Sequence, residues 1–143
     1  MWDKVLKTLA ALGGAIAGFF GEWNTVLTVL VVAMAIDYVS GMIVAAAGKS
    51  PKTESGGLNS KVGFVGLAKK GMILLVVLTA TLLDRAAGNA TSVFQMAASC
   101  FYIANEGVSI LENATLIGLP VPAAIQKALD DLKNVGEDNT PQA

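Results

Sequence analysis

Histidine is absent from this chain of 143 residues, and cysteine occurs once, as Cys100. The first absence removes the commonest general base, and together they exclude a Cys/His metal site and any disulfide within the chain. Charge is also scarce. Asp, Glu, Lys and Arg make up 15% of the residues, against about 25% in an average soluble domain. The formal net charge of -1 comes with no clustered basic face able to displace counterions from a polyanion, so nucleic acid is not expected as a partner. No nucleophile has a recognisable base and orienting group in sequence, and Gly56-Gly57 lacks a Walker pattern. Neither an enzyme nor a cofactor is expected.

Apolar residues are abundant instead, at 54% of the chain with a mean hydropathy of +0.61. They fall into runs at residues 5–20, 25–47, 62–83 and 93–119, separated by short charged stretches. A hydrocarbon core of about 30 Å needs roughly 20 helical residues at 1.5 Å each, which the second and fourth runs supply. In the third, Lys69 and Lys70 leave only Gly71 to Leu83 free of charge, about 20 Å of helix; snorkelling lysines and Arg85 can close the gap. The first run is short and rich in Gly and Ala, and either spans or lies flat. No small-x-small cleavage site follows it, so it is expected to be retained. The expected fold is therefore all-α: an integral membrane helical bundle with three to four transmembrane helices, oligomeric. A single membrane domain covers 1–133, closing with a short amphipathic helix at 123–133 after Pro120 and Pro122, and 134–143 form a polar disordered tail.

Orientation follows from where the basic residues lie. The loop at 48–61 carries Lys49, Lys52 and Lys61, with Lys69 and Lys70 just beyond, whereas the other connections hold one basic residue at most. That loop and the C-terminus are expected on the cytoplasmic side, with the lysines in reach of anionic lipid headgroups.

Polar residues inside the apolar runs are the candidate functional positions, because ionisable groups at membrane depth are costly and need a partner. Asp37 lies on a row of small residues, Ala33, Gly41 and Ala45, at four-residue spacing. It reads either as an oligomer contact or aqueous lining, or as half of an internal pair with Lys69 or Lys70. In the fourth run Gln95, Ser99, Tyr102, Glu106, Ser109 and Asn113 step by four and three residues, with Asn105 and Glu112 beside them, which draws a polar stripe along one helix face. Such a stripe can line water in an assembled pore or an interface between subunits, or it can hydrogen-bond to sister helices in one subunit. Gly14 and Gly18, four apart, mark a candidate helix-packing face in the first run.

Three stretches read in order resemble the phage-lysis and toxin-secretion holins. Asp37-Tyr38-Val39-Ser40-Gly41 is similar to that family's early acidic motif. Leu58-Asn59-Ser60-Lys61-Val62-Gly63-Phe64 with Lys69-Lys70 is similar to its basic loop. Phe101 through Asn113, continuing to Gly118-Leu119-Pro120-Val121-Pro122, resembles its late motif. The resemblance implies a self-assembling permeability factor of the bacterial cytoplasmic membrane, whose partners are its own copies, membrane lipids and, functionally, an endolysin or a toxin. Dual-start control is not expected, since the methionine after Met1 is Met34, deep in a span. A small proton-coupled exporter and an accessory or inhibitory subunit of a holin system are the alternatives.

Overall fold

The computed structural model describes residues 1–138, and the described residues form five helices and no strand. They are α1 (Trp2–Phe19), α2 (Thr25–Ala46), α3 (Ser60–Ala86), α4 (Val93–Ile117) and α5 (Ala123–Asp138). The four apolar runs thus become α1 to α4 with ends shifted by a few residues. The amphipathic helix runs to Asp138 instead of ending at 133, so residues 134–138 of the expected tail are helical, and 139–143 lie outside the described residues.

Local chemistry sets the helix boundaries. The Asn24 side chain accepts the Leu27 amide at 3.0 Å to start α2, and the Asn59 side chain accepts the Lys61 and Val62 amides at 3.0 and 3.1 Å to start α3. Helix α4 ends at Gly118, whose φ of 97° is a left-handed cap open to glycine, and Pro120 and Pro122 keep the chain from continuing as helix.

Helix α4 is the hub. It packs on α2, α3 and α5, while α2 and α3 touch each other only lightly. The apolar cluster at the centre joins Phe20, Leu27, Leu30 and Met34 to Val77 and Ile103, with Leu132 of α5 against it. Helix α1 has no buried residue and is tied to the bundle by Phe20, which meets Trp23 edge to face at 5.7 Å.

That core is thin, and most large apolar side chains point outward. On α2 these include Val32, Ile36, Val39 and Ile43, and on α3 Met72, Leu75, Leu82 and Leu83. Helices α2 and α3 are long and apolar enough to cross a membrane, yet only 17% and 11% of their apolar windows are buried, unlike core helices of a soluble protein. So much exposed hydrocarbon in water would drive aggregation; in lipid it is matched to its surroundings. Three or four spans are expected from the sequence, and two helices meet the criteria of length and composition. Helix α4 is of similar length, but its polar residues keep it out of that set, and α1 begins with Asp3, Lys4 and Lys7.

Candidate functional site

Gln95, Glu106 and Asn113 of α4 lie on the face that turns into the bundle, and each meets partners from α2 or α3, or from the residue that caps α2, at a different depth. Lys70 is central. It lies on α3, nearly buried, and its ammonium donates to Asp37 Oδ2 of α2 at 2.7 Å and to Glu106 Oε2 of α4. The side chains of Lys70, Asp37 and Glu106 retain only 11%, 12% and 9% of their exposure, so water screens this triad poorly. One ammonium serves two carboxylates, and the amide of Asn113 supplies more donors, reaching Asp37 Oδ1 at 3.3 Å and Ser40 Oγ at 2.9 Å. Gly41 faces that amide, and the half-buried Ala33 and Ala45 continue the row on which α4 approaches α2.

A second polar cluster closes the other end of α4. Ser92, in a left-handed conformation with φ of 50°, makes no side-chain cap bond. The carboxylate of Asp84 on α3 caps the helix instead, accepting from the backbone amides of Phe94 at 3.0 Å and Gln95 at 2.8 Å, and from Asn89 Nδ2 at 3.0 Å. A negative group at a helix N-terminus satisfies free amides and complements the helix dipole. The side chain of Gln95 then bridges all three helices, donating to Thr81 Oγ1 and accepting from Asn24 Nδ2, each at 2.7 Å.

The structure therefore brings Asp37, Gln95, Glu106 and Asn113 together with internal partners. Ser109 lies beside Asp37, Tyr102 is half-buried against the apolar cluster, and Ser99 is fully buried with its Oγ free of any partner among the described residues. Asn105 and Glu112 are exposed on other faces of α4. Gly14 and Gly18 have open space where a side chain would stand, so nothing in the single chain packs on them. Lys49, Lys52, Lys61 and Lys69 are exposed, whereas Lys70 belongs to the interior. Beneath the loop between α2 and α3 is a cavity of about 250 Å³ lined in part by Tyr38, Lys52, Lys69 and the Lys70 triad.

Sequence reasoning missed Asp84, Asn24 and Thr81, because Asp84 and Asn24 sit at segment ends that read as loop and Thr81 reads as one polar residue in an apolar run. No sequence signal announced the cap, since Thr91 and Ser92 are themselves suitable capping residues and leave no visible vacancy for Asp84 to fill. It also missed the docking of α5. That helix folds back along α4, with Leu129 lying over Gly107, where any side chain would collide with the leucine methyl groups. Lys127, Asp130 and Asp131 remain exposed on its other side and Lys133 is exposed beside Leu129, and each would cost about 2.5–3.5 kcal/mol if placed in lipid at mid-membrane.

A bundle whose apolar surface faces outward and whose charges pair inward is the architecture of a membrane protein, and the comparisons name its class. The bacteriophage holin family model matches residues 14–134, and the chain belongs to this family of membrane-permeabilising proteins. Among its relatives, a protein described as a probable holin from Bacillus phage phi105 is 33% identical over 87% of this chain and 85% of its own length. An uncharacterised 14.9 kDa protein from Clostridium perfringens is 40% identical over 88% of this chain and 90% of its own. An uncharacterised protein from Halalkalibacterium halodurans is 37% identical over 92% and 96%. No solved structure matches the chain.

Proposed function

We propose that this chain permeabilises the bacterial cytoplasmic membrane by assembling with copies of itself, opening a path for an endolysin or a toxin. The observation that carries the reading is the division of the surface. Helix α2 and the stretch 71–83 of α3 present hydrocarbon outward, whereas the ionisable groups of the interior, Asp37, Lys70 and Glu106, pair with one another across α2, α3 and α4. Each subunit can enter lipid without an uncompensated charge, accumulate, and then associate laterally. The basic loop, with Lys49, Lys52 and Lys61, is assigned to the cytoplasmic face together with the C-terminal end of α4, in a multi-pass arrangement. Because Glu106 holds Lys70, it is engaged in the resting subunit, which weighs against a carboxylate free to exchange protons for a substrate as an exporter needs.

Inducible expression of the chain alone in a bacterium, with membrane potential and release of a folded cytoplasmic reporter followed together, tests the proposal. Abrupt depolarisation with reporter release is expected, at an onset shifted by Glu106→Gln. Intact potential with normal growth overturns it.

A further inference from the structure

Helix α5 poses a problem of placement that its companions do not. Leu132 packs against the cluster of Phe20, Leu27, Leu30, Met34, Val77 and Ile103, and Leu129 lies over Gly107, near the midpoint of the α4 helix Val93–Ile117. Docked in this way, α5 reaches the middle of the membrane. Its exposed face there carries Lys127, Asp130, Asp131 and Lys133, and no ion pair joins them among the described residues. Lipid cannot be the neighbour of that face. On the opposite flank of α4, the exposed side chains of α2 and of the charge-free stretch 71–83 of α3 are mostly hydrocarbon and suit lipid. The subunit thus has a lipid side and a water side at the same depth, separated by α4.

From this ordering we infer that α5, still docked on α4, forms the water-facing wall of the assembled lesion, with Lys127, Asp130, Asp131 and Lys133 toward the aqueous path. The inference rests on the permeabiliser reading and assigns its lining surface. The stripe of Gln95, Glu106 and Asn113 is then the internal fastener of each subunit, and the lumen is written on the helix after it. Gly107 is what allows this, since it brings Leu129 onto the α4 backbone and leaves Lys127, Asp130 and Asp131 turned away.

The test uses the full chain in bacterial membranes with Cys100→Ala, so that introduced thiols are the only ones. Gly107→Cys with Leu129→Cys places two thiols where glycine and leucine now touch, and removes the leucine methyl groups that would crowd the new side chain. Asp131→Cys adds a reporter, and Val39→Cys on α2 in the same locked background is the lipid-facing control. After mild oxidation, the locked protein is expected to depolarise cells as the reduced form does. Its Cys at 131 is expected to react with a charged, membrane-impermeant thiol reagent more than about tenfold faster than the control, since the thiolate forms readily only in water. Failure of the disulfide to form in the membrane, loss of leakage on locking with recovery on reduction, or protection of position 131 in the locked protein would each overturn the inference. If the unlocked chain leaves the potential intact, the permeabiliser reading falls first, while labelling of the locked protein still reports whether docked α5 meets water.

Discussion

Replacing Lys70 by methionine keeps the length of the side chain and removes the one cation shared by Asp37 and Glu106. Asp37 would retain the amide of Asn113 at 3.3 Å, but no other donor is present for the Glu106 carboxylate among the described residues. Removing one partner of a buried ion pair typically costs about 3–5 kcal/mol, because the remaining charge is left uncompensated. Glu106→Gln should be much milder, about 1–2 kcal/mol, since Lys70 and Asp37 then form a neutral pair. The triple variant Lys70→Met, Asp37→Asn, Glu106→Gln should recover to within about 1–2 kcal/mol of the parent, as apolar or neutral replacement of a whole buried charge cluster often does. Unfolding in mixed micelles by denaturing detergent can be followed through Trp23, which contacts Phe20 and bonds Thr28 Oγ1 at 2.9 Å, after Trp2→Phe removes the second indole. If Lys70→Met falls within about 0.5 kcal/mol of the parent, or costs less than Glu106→Gln, the triad does not hold the bundle together.

Further perturbations test other parts of the structure. Asp84→Ala strips two hydrogen bonds from the start of α4 and one from Asn89 in the connection before it, and should lower stability by about 1–3 kcal/mol in the same unfolding assay, with Asp84→Asn intermediate. Val32→Lys places a charge on the outward face of α2, and at about 2.5–3.5 kcal/mol against insertion it should shift a measurable fraction of the chain into the alkali-extractable pool. Changing Lys49, Lys52 and Lys61 together to glutamine should weaken the orientation bias, read as mixed topology by reporters fused in that loop; unchanged orientation would show that other features set it.

The elements were legible because hydropathy in runs and a four-three polar spacing are local properties. Each apolar run became a helix, and the stripe of Gln95, Glu106 and Asn113 does lie on one face. What periodicity could not tell is where that face points, since the answer depends on which residues of other helices come near. Lys70 is the instructive case. In sequence it and Lys69 read alike, as part of a basic boundary or as a partner for Asp37, yet one is exposed and the other buried between two carboxylates, because neighbours on a helix differ by about 100°. The capping of α4 by Asp84 and the docking of Leu129 on Gly107 are contacts between separate elements, and nothing in the spacing of either element announces them.

The position of Lys70 on α3 also has a meaning in time. A chain emerging from the ribosome delivers α2 and α3 before α4, so Lys70 can first meet Asp37 alone, as a neutral pair in a two-helix hairpin that is already acceptable to lipid. Glu106 arrives afterwards and finds its cation in place. Helix α4, whose Glu106 carboxylate needs a cation when it docks, thus meets one placed before its own synthesis.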